Sequence, residues 1–403
     1  MALQSPAAIR STAGTASVAS GRHFLQIPGP TNVPERVLRS MARATIDHRG
    51  PEFARLGQDV LEGIKDVFQT SGPVVIYPSS GTGAWEAALV NTLSPGDRVL
   101  AFETGHFATL WRDLATGLGL EVDFVPGDWR RGVDPAIVEA KLAENAGIRA
   151  VMVVHNETST GVASNIAEVR RAIDRVGHTA LLLVDTISSL ASIDYRHEEW
   201  GVDVTVGGSQ KGLMLPPGLG FNAISEKALA ASRSARFLKS YWDWRPMLSA
   251  NQAGFFPFTP ATNLLFGLRE ALCMLKEEGL QNVFARHARL AEATRRAVRA
   301  WGLEILCANP EEYSGSLTAI LMPDGHNADE LRRIILERFN LSLGSGLGKV
   351  QGRVFRIGHL GDLNDLMLAG TLCGVEMGLA VAGVPFSRGG VATALEYLET
   401  SSQ

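Results

Sequence analysis

The sequence predicts an α/β protein in which a mostly parallel sheet, covered by helices on both faces, is followed by a smaller α+β domain. Two observations carry this. From Pro73 onward short β-branched runs alternate with amphipathic stretches, the pattern of strands joined by helical crossovers. After Gly279 the alternation gives way to one long amphipathic stretch and then to mixed strand and helix signals. At 403 residues the chain exceeds what one hydrophobic core usually organises, so a large and a small domain are the natural division.

In chain order, the expected strands are Arg98–Glu103, Glu121–Val125, Ile148–His155, Ala180–Asp185, Val202–Gly207 and Gly220–Ile224. Between them, residues 165–176 place Ile166, Val169, Ile173 and Val176 on one helical face and Arg170, Arg171 and Asp174 on the other. The stretch "LQNVFARHARLAEATRRAVRAWG" reads as a helix with Val283, Phe284, Leu290, Ala297, Val298 and Trp301 in its apolar stripe. A strand "LTAILMP", a helix over 328–338 and an extended "RVFRIG" complete the small domain. The expected division is a tail over 1–22, a large domain over 23–279 and a small domain over 280–403.

Composition excludes several function classes. A net charge of -4 gives no electrostatic footprint for nucleic acid. The three cysteines, Cys273, Cys307 and Cys373, are far apart, so neither a disulfide framework nor a zinc site is expected. No apolar run approaches the ~20 residues of a membrane-spanning helix. Residues 1–22 contain Ser, Thr, Ala and two arginines but no acid; a disordered tail is favoured over a transit peptide, which makes a cytoplasmic protein the expectation and an organellar one the alternative.

Three local features carry chemistry. Small residues from Ser79 to Gly83 precede an apolar helix, where free N–H groups could hold a phosphate; the same stretch also fits a plain capped turn. It is neither a Walker loop nor G-x-G-x-x-G. Asp185 ends the very apolar strand "ALLLVD", at the edge where open α/β sheets bind ligands, although a turn or cap residue would sit there equally well. Lys211 lies just beyond another strand, in "GSQKGLMLPPG"; a solvated lysine is the ordinary alternative, weakened by the flanking glycines and prolines.

With these residues in place, the ordered segments "IPGPTNVP", "SSGTGAWEAAL", "HNETSTG", "LLLVDTISS", "GSQKGLMLPPG" and "FRIGHLGDLND" resemble the class V aminotransferases that use pyridoxal 5′-phosphate, in the serine/alanine:glyoxylate branch. The resemblance runs from about Phe24 to the C-terminus. It implies the aspartate-aminotransferase-like fold (fold type I) and a homodimer whose subunits share their active sites. Lys211 would form the Schiff base with the cofactor and then shuttle the substrate proton, and Asp185 would keep the pyridine nitrogen protonated. The phosphate would rest on Gly81 and Thr82, with Gln210 beside it and Thr259 from the partner. Phe107 would stack on the ring, Thr158 would contact its oxygen, and Arg356 would grip the substrate carboxylate. Phe256 stands where the family often has a tyrosine, so one hydroxyl bond to the phosphate would be missing.

The implied reaction moves an amino group from serine or alanine to glyoxylate, giving glycine, with aspartate as an alternative donor. Arg49, in "IDHRGPEF", is the residue that could instead favour a dicarboxylic acceptor by reaching a pocket from the partner. A pyridoxal-phosphate lyase or cysteine desulfurase is the competing activity, for which only Cys307 could serve. A non-catalytic α/β binding protein is the competitor from a different class; Lys211, Asp185 and Arg356 together argue against it.

Overall fold

The computed structural model describes residues 21–401. The expectation for the tail at 1–22 therefore falls almost entirely outside the described residues. The large sheet has seven strands in the spatial order Val74–Ser79, Gly218–Ile224, Val204–Gly208, Leu181–Asp185, Ile148–Val154, Arg98–Phe102, Glu121–Val125. Every pairing from Val204–Gly208 to Glu121–Val125 is parallel, while Gly218–Ile224 runs antiparallel to both its neighbours. The expected strands thus recur within two residues at each end, and Val74–Ser79 is one more.

Both faces of this sheet are buried, which is why its strands are apolar throughout. Along Leu181–Asp185, Leu181 and Leu183 join a core with Ala84, Trp85 and Trp111 on one side. Leu182 and Val184 face the opposite way, packing with Val169 and Ile173 of the helix Ile166–Arg175. That helix starts one residue later than expected because Asn165 caps it, its side chain accepting from the Glu168 N–H at 3.1 Å.

The amphipathic stretch after Gly279 is the helix Leu280–Ala300, separated from the helix Thr262–Glu278 by Gly279, whose φ of 82° ends the first helix and redirects the chain. A second sheet follows, ordered Phe24–Gln26, Leu341–Ser345, Val354–Gly358, Leu317–Leu321, Glu304–Ile305. Its first strand comes from the start of the chain: Phe24–Gln26 pairs in parallel with Leu341–Leu343. This carries the following "IPGPT" segment across to the edge of the large sheet.

Candidate active site

Six strands of the large sheet end on the same edge, and residues at or a few positions beyond the ends of five of them contribute to one crevice. Val74–Ser79 leads to Gly81 and Thr82, Arg98–Phe102 to Phe107, and Ile148–Val154 to Thr158. Leu181–Asp185 ends on Asp185 itself, and Val204–Gly208 leads to Gln210 and Lys211. All seven of these residues line a single cavity of about 240 Å³, together with Gly29, Trp85 and Asn156. A larger groove of about 720 Å³ lies elsewhere, between the helices Pro51–Phe68 and Thr262–Glu278, and contains none of the expected site residues.

The helix Gly81–Thr92 begins at this cavity. Its intrahelical bonds start with Gly83 and Ala84 donating to the Ser80 carbonyl, and among the described residues nothing accepts from the N–H groups of Gly81 and Thr82. Gly81 is needed for contact: a Cβ there would lie 2.2 Å from Cδ1 of Ile187. The side-chain oxygen of Gln210 is buried nearby without a partner among the described residues.

Asp185 is 4% exposed. Its Oδ1 accepts from the Ile187 N–H at 2.6 Å and its Oδ2 from the Trp85 indole N–H at 3.0 Å, so the carboxylate is oriented from within the protein. Burial pushes its pKa up to about 7, the Ile187 N–H working against that shift and the charge of Glu157 adding to it. A cation brought beside Asp185 would restore its ionised form.

Lys211 is 7% exposed, so the solvated-lysine reading does not apply. The turn that carries it is fixed by Ser209, whose hydroxyl donates to the Pro216 carbonyl at 2.8 Å and accepts from the Leu219 N–H at 3.2 Å. The "IPGPT" segment packs directly on the lysine. Nζ donates to the Pro28 carbonyl, and a Cβ on Gly29, whose φ is +94°, would fall 2.2 Å from Cδ of Lys211. Burial pulls the ammonium pKa from 10.5 down to about 7, Arg356 reinforcing the shift and Asp185 opposing it. Much of the amine is therefore neutral, and nucleophilic, near neutral pH.

Arg356 is not on the cavity wall but directly behind it. At 6% exposed it is no surface arginine: Nη1 donates to the Thr158 carbonyl at 2.6 Å and Nε to the Ser345 carbonyl at 2.7 Å. Burial pulls its pKa down to about 10, with Glu157 opposing. Thr259 is exposed and outside the cavity, as is Arg49. Phe256, in place of the tyrosine, packs edge-on against Phe53 at 6.1 Å.

Three buried residues at or beside this site carry no distinguishing signal in the sequence. Trp85 holds Asp185 and stacks on Trp111 at 5.8 Å. Asn156 lines the cavity, and its amide donates to Ser188 and Ser316 at 2.7 and 2.9 Å. Glu157 is fully buried. The segments "SSGTGAWEAAL" and "HNETSTG" contained all three, but nothing in local spacing distinguishes them from core residues.

The donor set is chemically coherent. A buried amine suits a carbonyl carbon, a buried carboxylate suits a protonated ring nitrogen, and free N–H groups at a helix start suit a phosphate. These residues fit pyridoxal 5′-phosphate, the group the sequence resemblance implies.

The sequence pattern of the family described as "Aminotransferase class-V" matches residues 23–351. A serine–glyoxylate aminotransferase of Methylorubrum extorquens is 50% identical over 387 residues, covering 94% of this chain and 96% of that protein. An L-aspartate–glyoxylate aminotransferase of Paracoccus denitrificans is 47% identical, covering 92% of this chain and 95% of its own. Among solved structures, pyridoxamine-pyruvate aminotransferase from Mesorhizobium loti superposes with a TM-score of 0.87 at 28% identity, covering 94% of this chain and 97% of that one. The chain belongs to the class V aminotransferases, a family that works with pyridoxal 5′-phosphate.

Proposed function

We propose that this protein is a serine–glyoxylate transaminase, a homodimer that binds pyridoxal 5′-phosphate and moves the amino group of serine, or secondarily alanine, to glyoxylate. The single observation that carries the chemistry is the buried Lys211 amine in the same cavity as the buried Asp185 carboxylate and the open start of the helix Gly81–Thr92. The choice of donor and acceptor rests on the similarity to the Methylorubrum extorquens protein.

Bound pyridoxal 5′-phosphate supplies an aldehyde that condenses with amines and a protonated ring that withdraws electrons from the substrate's Cα. The chain's own residues would do the rest. Asp185, its geometry set by Trp85 and Ile187, would hold a proton at the ring nitrogen through a charge-assisted hydrogen bond. Lys211 Nζ, its pKa lowered to about 7, would take the proton from the substrate's Cα and deliver one to the cofactor's aldehyde-derived carbon on the far side of the amino nitrogen, base and acid in turn. The N–H groups of Gly81 and Thr82, with Gln210 and the partner's Thr259, hold the phosphate. Phe107 would cover one face of the ring and Thr158 would contact its oxygen, while Arg356, from behind the cavity wall, would reach the substrate carboxylate with the guanidinium N–H groups not committed to Thr158 and Ser345.

A desulfurase would need a reactive thiol at this cavity. Cys307 is buried, and burial raises its pKa to about 11, while Cys273 and Cys373 lie on helices away from the cavity. The test is a panel of donors (serine, alanine, aspartate) against acceptors (glyoxylate, pyruvate, 2-oxoglutarate), followed by the visible band of the cofactor-loaded protein. Highest kcat/KM for serine with glyoxylate is expected. Preference for aspartate would move the protein towards the Paracoccus denitrificans activity, and preference for 2-oxoglutarate would bring Arg49 in as a distal clamp. A protein that takes up no cofactor and turns over no pair would be a binding protein.

A further inference from the structure

Glu157 has no part in the chemistry above, yet it is fully buried and its carboxylate is surrounded by donors. Oε1 accepts from the Ser159 hydroxyl at 2.7 Å, the Ser159 N–H at 3.0 Å and the Phe107 N–H at 3.3 Å, and Oε2 accepts from the Ala108 N–H at 3.0 Å. The Ser159 hydroxyl in turn accepts from the His106 N–H at 2.9 Å. The first three N–H groups of the helix His106–Gly117 are thus satisfied by a segment some fifty residues further along the chain. Gly105, which precedes the helix, supplies no cap of its own and leaves room for this one: a Cβ there would lie 2.3 Å from Cγ of Glu157 and 2.5 Å from Oγ of Ser159.

The same turn is tied on its other side. Thr158, between Glu157 and Ser159, accepts from Arg356 through its carbonyl at 2.6 Å. We propose that Glu157 is a positioning residue that locks the ring-covering Phe107 and the carboxylate-gripping Arg356 into one spacing by anchoring both to the Glu157–Ser159 turn. This rests on the cofactor and substrate roles proposed above. Every partner of the carboxylate is a donor, so the site tolerates an acceptor only. Glu157→Gln keeps the shape but places an NH₂ group against N–H groups, so isosteric replacement must fail here.

Glu157→Gln is compared with wild type, with Ser159→Ala as a milder variant that removes one donor and the His106 cap. Amide exchange in the cofactor-free protein reads the tie without depending on any cofactor. Faster exchange over 105–112 and 156–161 in Glu157→Gln, and a smaller change in Ser159→Ala, is expected, and unchanged exchange overturns the proposal. In the loaded enzyme, the KM values for amino and keto acids should rise tenfold or more in Glu157→Gln, with a smaller change in kcat and an altered visible circular dichroism of the bound cofactor. A lower melting temperature with wild-type KM and wild-type visible dichroism overturns positioning in favour of a purely structural role. Wild-type protein that takes up no pyridoxal 5′-phosphate refutes the cofactor reading instead, and the exchange result then still decides whether the tie exists.

Discussion

Replacing Lys211 by Met should abolish turnover and at the same time stabilise the cofactor-free protein. The amine's pKa falls from 10.5 to about 7 on folding because burial disfavours the ammonium, so the folded state binds this proton less tightly than the unfolded chain. The corresponding stability is present in full only above about 10.5 and is lost as pH falls through about 7. Near pH 7.5 the wild-type lysine therefore costs roughly 4 kcal/mol relative to a neutral side chain. Two losses offset the gain in the variant. The bond to the Pro28 carbonyl is worth about 1 kcal/mol, and Asp185 loses a neighbouring cation that favours its ionised form. We expect a net stabilisation of about 1–3 kcal/mol, measured by urea unfolding of cofactor-free proteins at equal concentration. The advantage should be largest at or below neutral pH and should shrink towards pH 10.5. A variant less stable than wild type at neutral pH, or an advantage that does not change with pH, would refute the argument that Lys211 is held in the fold at a cost to stability for the sake of its reactivity.

Asp185→Asn should lower kcat by orders of magnitude while borohydride still fixes the cofactor to Lys211. Because both carboxylate oxygens accept N–H bonds, the amide must turn its NH₂ towards Ile187 or Trp85, at a cost of about 1–3 kcal/mol partly offset by removing a buried charge; a near-normal rate would reduce Asp185 to a turn residue. Arg356→Ala should raise KM for amino and keto acids by roughly tenfold to a hundredfold. It should also lower the unfolding midpoint, since the guanidinium joins the Thr158 and Ser345 carbonyls; unchanged KM with reduced stability would leave Arg356 a structural tie.

The strand–helix alternation, a helix over 165–176, the helix after Gly279 and the segments that carry the family are all legible in the chain alone, because each is written in residues close together along it. Asp185 and Lys211 could be singled out for the same reason: each ends or follows an apolar strand. The tertiary structure decided what depends on distant partners. Phe24–Gln26 belongs with Leu341–Ser345 because a short strand's neighbour is chosen by packing, and that choice lays Pro28 and Gly29 on Lys211. Burial of Arg356, the indole bond from Trp85 to Asp185 and the clasp of Glu157 on Phe107 and Ala108 join residues between about fifty and two hundred positions apart. Hydrogen bonds over such separations leave no periodicity behind, and only the folded sheet, by bringing five of its strand ends to one crevice, puts these groups within reach of one another.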